Sequence, residues 1–217
     1  MCTNYAITKN DGTAKLADQL LVDENNLIFN PDVRPGAQIS IITGGQEDRA
    51  IKAATWWLYL TQTETGLKPH RKYFSVNTNH AKLKSKPEFR NKRCIIPATA
   101  FVESQNGTNP HLLEPDDSSA IAFGGLWKEW KDEATDEIIY SASIITLPGH
   151  PALAGIHRKS TPLWLAAEDF EHWLSPDVTH VTKLDRYITP VLQTGLRATL
   201  IDKATSKKPL AEPFIVR

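Results

Sequence analysis

The 217-residue chain balances 25 Lys+Arg against 25 Asp+Glu and holds 41% apolar residues, 14 Pro, 11 Gly, 6 Trp and 2 Cys. That apolar and aromatic content supports a substantial core, which excludes a disordered chain and a disulfide-stapled miniprotein. No run approaches the roughly 18 apolar residues of a membrane helix, and residues 1–11 lack the pattern of a secretion signal, so a soluble cytoplasmic protein with no membrane partner is expected.

In chain order, short apolar or alternating runs occupy residues 37–43, 51–60, 94–103, 120–130, 138–147, 161–166 and 196–202. They are rich in Ile, Val, Thr and Trp and are punctuated by Gly, Pro, Asn and Asp, which predicts strands joined by turns. Helical patterns are fewer: a basic helix over 79–91, a short one over 166–174 and a third over 178–188. Strands following one another without regular intervening helices predict an α+β protein. Its core is expected to be mainly antiparallel and barrel-like, with a few helices packed outside. Only 105–109 and 204–208 read as flexible, and neither divides the chain, so one domain over 1–217 is expected.

The even net charge hides an asymmetry. Residues 68–93 hold nine Lys or Arg against the single acid Glu88, a surplus of eight. A block of like charge is either a solvated face or a binding surface. Here Ser75, Asn77, Asn79 and His80 are interleaved with Tyr73 and Phe74, the mixture that contacts phosphates and stacks on bases. Adjacent Trp56 and Trp57 fall on opposite faces of a strand, so one enters the core and the other packs on a second surface or offers a stacking platform. Cys94 reads as core, and Gly124-Gly125 as a strand bend or a close backbone approach.

Four residues carry candidate chemistry. Cys2 follows the initiator; removal of Met1 would leave one residue bearing both an α-amine and a thiol, with unperturbed pKa values near 8 and 8.5. That pair can capture an aldehyde as an imine and close it to a thiazolidine, or the thiol can attack a carbonyl. The alternative is a small residue entering the first strand. Asn77, Glu103 and His157 occupy strand ends or loops, where they make turns and caps or carry reactive chemistry. Two Cys without a Cys-x-x-Cys repeat and seven His without paired ligand spacing predict no metal site, and no cofactor is expected.

Cys2, Phe74-Ser75-Val76-Asn77, Lys86-Pro87-Glu88-Phe89-Arg90, Arg93-Cys94-Ile95-Ile96-Pro97-Ala98, Phe101-Val102-Glu103, Phe123-Gly124-Gly125-Leu126-Trp127 and Ile156-His157 stand in one order. In that order the chain resembles the SOS response-associated peptidase (SRAP) family of abasic-site processing proteins. The resemblance implies a β-barrel-centred fold and a basic cleft for single-stranded DNA. It further implies self-attachment to abasic sites through Cys2 as a thiazolidine crosslink, and a thiol autopeptidase activity at the same positions. The family's catalytic positions fall on Cys2, Asn77, Glu103 and His157. On this reading His157 acts as the acid that opens the sugar ring, the Cys2 amine attacks C1′, Glu103 shuttles protons and Asn77 orients the terminus or the sugar.

Arg71, Lys72, Asn79, Lys82, Lys84, Arg90, Trp56 and Trp57 are the expected DNA contacts, made by a monomer in the cytoplasm or nucleoid. The chain departs from the family pattern at Asn79, in place of an arginine, at Ser104, in place of a tryptophan, and at Lys159-Ser160-Thr161-Pro162, in place of Arg-Met-Pro. Two other readings are a thiol hydrolase and a non-catalytic single-strand-binding domain.

Overall fold

The computed structural model describes residues 3–217. In chain order the elements are β1 (Tyr5–Ile7), α1 (Asp11–Gln19), β2 (Asn30–Val33), β3 (Gln38–Thr43), β4 (Ala50–Trp56), β5 (Leu60–Thr63), β6 (Gly66–Pro69) and β7 (Asn77–Asn79). There follow α2 (Glu88–Asn91), β8 (Arg93–Ala98), β9 (Ala100–Gln105), β10 (Thr108–Pro115), β11 (Ile121–Lys131), β12 (Ile138–Pro148), β13 (Ser160–Pro162), α3 (Phe170–Leu174), β14 (Leu196–Leu200) and β15 (Phe214–Val216).

Five strands close into a barrel in the order β11-β8-β3-β4-β12, with β12 pairing back onto β11. The expected barrel-centred α+β architecture is therefore present. All neighbours are antiparallel except β4 and β12, which run parallel. Strand β12 outruns its partners, and its far half pairs with β7 on one edge and β13 on the other. Asn77 and the segment leading to His157 thus attach to the same strand. A second sheet, ordered β15-β14-β10-β9-β1-β2, lies against the barrel.

Aromatic packing joins the two layers. The Tyr5 ring of β1 meets Trp56 edge-on at 5.0 Å and Phe123 at 6.3 Å, and Phe101 of β9 meets Phe123 at 5.7 Å. Every residue of β8 is buried because both of its faces are covered. Glycines make the closure possible. A Cβ on Gly125 would sit 2.8 Å from the Ser143 carbonyl oxygen, and one on Gly124 would collide with Leu163, so Gly124-Gly125 is a close backbone approach. Cys94 is wholly buried, and burial pushes its thiol far above the ordinary range.

Two local expectations are corrected, and one helix was not anticipated. The run 94–103 is two strands, β8 and β9, separated at Thr99, whose N–H donates to the Ala6 carbonyl at 2.7 Å. The basic segment 79–91 is a 3₁₀ turn, His80–Ser85, followed by the four-residue α2. Pro87 forces the break: Lys86 is extended (φ −91°, ψ 125°), as a residue before proline prefers. Helix α1 was hidden in the sequence by its low hydrophobicity; Asn10 and Thr13 form a reciprocal capping box at its start.

Among the described residues no helix is long and apolar enough to cross a membrane. No group of three or more metal-ligating side chains could hold an ion there.

Candidate active site

Glu103 lies on β9, opposite His111 of β10, in a hairpin whose tight turn is Asn106-Gly107. Both turn residues have positive φ, 54° and 83°, as the commonest two-residue hairpin turn requires. His157 ends the loop between β12 and β13. The 3₁₀ turn Pro151–Leu153 starts that loop, and the His157 N–H donates to the Leu153 carbonyl at 2.7 Å. Gly149 lets the loop ends meet, since a Cβ there would collide with the Arg158 carbonyl. Two side-chain bonds pin the loop to the hairpin: Lys159 Nζ to Asn106 Oδ1 at 2.9 Å, and Gln105 Nε2 to the Ala154 carbonyl at 3.3 Å.

This architecture brings Glu103 and His157 together, 54 positions apart, with His157 Nδ1 at 3.6 Å from Glu103 Oε2. That is beyond good hydrogen-bond length, so the two groups are electrostatic neighbours. Nδ1 instead lies 2.7 Å from the Ser104 carbonyl oxygen. A carbonyl only accepts, so Nδ1 carries a proton, and in the neutral ring the lone pair is on Nε2. Nε2 is 3.2 Å from Ser160 Oγ. Both side chains are buried. Burial raises the Glu103 carboxyl to about 7 and lowers the His157 imidazole below its usual 6.5. Near neutral pH the pair is therefore a half-protonated acid beside a mostly neutral base.

Asn77 enters from β7, where it registers with Ile144 of β12, and its side chain is half-buried. Cys2 lies outside the described residues. Just before β1, the Asn4 carbonyl accepts from the Val102 N–H at 2.9 Å, one residue from Glu103. Asn4 is clamped in turn: its Nδ2 donates to Asp32 Oδ1 at 2.6 Å, and Asp32 also binds Arg34 and Lys207. Burial of Asp32 is outweighed by these hydrogen bonds, which hold its carboxyl well below the usual range. The sequence reading missed Asp32 and Lys207, and no local motif marks them.

The expected DNA contacts divide. Trp56 is fully buried and its Nε1 donates to the Val76 carbonyl at 2.9 Å, so it cannot stack on a base; this corrects the expectation that it contacts DNA. Trp57 is half-buried and meets the exposed Phe74 edge-on at 4.9 Å. Arg71, Lys72, Lys82 and Arg90 are exposed, and none has an ion pair among the described residues. Lys84 is exposed but paired with Asp185 at 2.9 Å. Asn79 is exposed, and its Oδ1 caps the following 3₁₀ turn by accepting from the Ala81 N–H. Arg93, counted in the basic block, is buried and spends its guanidinium on the carbonyls of Trp173, Phe89, Arg90 and Ser175.

The chain matches the family described as SOS response associated peptidase (SRAP) over residues 1–208, and it belongs to that family. It is 28% identical over 148 residues to the abasic site processing protein YobE of Bacillus subtilis, covering 64% of this chain and 67% of that one. It is 30% identical over 152 residues to YoqW of the same organism, also named an abasic site processing protein, covering 66% and 67%. A solved protein from Bacteroides thetaiotaomicron shares the fold with a TM-score of 0.75 at 21% identity, covering 95% of each chain. One from Bordetella bronchiseptica has a TM-score of 0.71 at 17% identity, covering 93% of this chain and 100% of that one.

Proposed function

We propose that this protein processes abasic sites in single-stranded DNA, and that it does so by attaching itself to them through Cys2 once Met1 is removed. Two relatives named abasic site processing proteins support the substrate class. The observation that carries the chemistry is the buried Glu103–His157 pair beside the strand that leads from the N-terminal end.

The buried pair supports a division of labour different from the one the resemblance suggests. A neutral His157 has no proton at Nε2 and acts as base; Glu103, a carboxylic acid up to about pH 7, acts as acid. Glu103 protonates the sugar ring oxygen and the aldehyde opens. The Cys2 amine adds to C1′, water leaves as the imine forms, and the thiolate closes the five-membered ring. Asn77 orients the terminus or sugar by its amide, while Arg71, Lys72, Lys82 and Arg90 hold phosphates. Incubating Met1-processed protein with an abasic oligonucleotide is expected to yield a gel-stable conjugate, and Cys2→Ala to yield none. A wild-type protein that gives no conjugate sinks the reading.

A second reading uses the same atoms. His157 Nε2, unprotonated in the neutral ring, is suited to deprotonating a thiol, and the family description names a peptidase. Peptide turnover by the purified protein, with no DNA conjugate, would select it.

A further inference from the structure

We propose that Ser160 is a proton relay for His157 during opening of the sugar ring, an inference that rests on the abasic-site reading above. The Ser104 carbonyl fixes the proton of His157 on Nδ1, and Ser160 Oγ stands at 3.2 Å from Nε2, the ring atom that exchanges protons. Ser160 is half-buried at the start of β13, in register with Pro148 of β12. The Thr161 side chain beside it accepts from the His150 N–H at 2.8 Å, closing the loop that carries His157. The hydroxyl is therefore held by a strand on one side of the imidazole, while the Ser104 carbonyl holds the ring on the other.

A hydroxyl both donates and accepts, so it passes a proton on without acquiring charge. The anomeric hydroxyl on C1′ gives its proton to Ser160 Oγ, and Ser160 gives its own proton to His157 Nε2. The C1′=O bond forms, the bond from C1′ to the ring oxygen breaks, and that oxygen takes the Glu103 proton. The protein is left with an imidazolium and a carboxylate whose Nδ1 and Oε2 stand 3.6 Å apart, an ion pair of low solvent exposure that stabilises the charges the step creates. Net protons are conserved and no co-reactant is needed. Ser160 touches the reacting hydroxyl in this step and is a catalytic residue for ring opening.

The relay serves ring opening alone, which separates it from a packing role. The rate of conjugation is measured for wild type, Ser160→Ala and Ser160→Thr on two oligonucleotides, one with the cyclic abasic sugar and one with an acyclic aldehyde at the same position. Ser160→Ala is expected to slow conjugation at least tenfold on the cyclic sugar and less than twofold on the acyclic aldehyde, and Ser160→Thr to retain most of the rate on both. Unchanged rates for Ser160→Ala on the cyclic sugar overturn the relay. So does an equal loss on both substrates, or a Thr variant as slow as Ala, either of which assigns the residue to packing. A wild type that conjugates with neither oligonucleotide overturns the abasic-site reading itself, and the relay with it.

Discussion

The Glu103 carboxyl and the His157 imidazole stand 3.6 Å apart with only 3% and 7% of their side chains exposed. Charging either group in that environment is costly, which is why burial moves the two pKa values in opposite directions, the acid up and the base down. The result is a carboxyl that exchanges its proton near neutrality beside an imidazole held below its usual range, at the two positions where the family resemblance expects catalysis.

The pair makes stability depend on pH. Folded Glu103 keeps its proton to about pH 7, whereas the unfolded group releases it near 4.5. The stabilisation this affinity supplies is complete below 4.5 and is lost as pH rises through 7, on the order of 3 kcal/mol. His157, lowered by burial, acts on the other side: its contribution is present above 6.5 and is lost as pH falls. Urea unfolding at pH 5.5 and 8.5 is expected to show a smaller alkaline loss in Glu103→Gln than in wild type. Identical losses would remove Glu103 as the cause.

Cys94 is inert where Cys2 is expected to react. It is wholly buried and its thiol is held protonated by desolvation. In a Cys2→Ala protein, iodoacetamide at neutral pH is expected to add no mass under native conditions and one adduct after unfolding. A native adduct would show that the barrel opens at β8.

The two tryptophans separate stability from binding. Trp56→Ala removes a fully buried indole and its bond to the Val76 carbonyl, which costs about 3–5 kcal/mol and is read as a lower urea midpoint. Trp57→Ala leaves the fold within about 1 kcal/mol and weakens single-strand affinity by about 1–3 kcal/mol, as loss of a stacking partner does. Equal destabilisation by both substitutions would place Trp57 in the core.

Salt dependence distinguishes the free cations from the paired ones. Replacing Arg71 and Lys72 together by Ala is expected to reduce the slope of log affinity against log salt by about 1.4, roughly 0.7 for each phosphate that the protein no longer neutralises. Lys84→Ala, already neutralised by Asp185, is expected to change the slope less. The titrations use an undamaged single strand, so covalent attachment does not interfere.

Much of this protein was legible in one dimension. Alternating runs such as those of β3, β11 and β12 mark strands because successive side chains face opposite sides, and their succession without helices marks a barrel. The ordered strings around Cys2, Asn77, Glu103 and His157 carried the family resemblance, and the match over residues 1–208 confirms the family. Short or polar elements such as α1 and β2 were not legible, because pairing to a distant strand or capping makes them and neither leaves a periodic signal. Which of Trp56 and Trp57 enters the core could not be read either, since alternation alone does not say which face is inside.

The sequence by itself determined the fold class and which residue types were available for chemistry, because both follow from local pattern and side-chain identity. Only the tertiary structure decided that Glu103 and His157 meet, that Ser104 fixes the imidazole proton and that Ser160 faces Nε2. It also decided that Arg93 serves helix ends while Arg71 and Lys72 stay exposed. Burial and hydrogen-bond partners belong to contacts between distant segments. They set proton affinities, and no spacing along the chain encodes them.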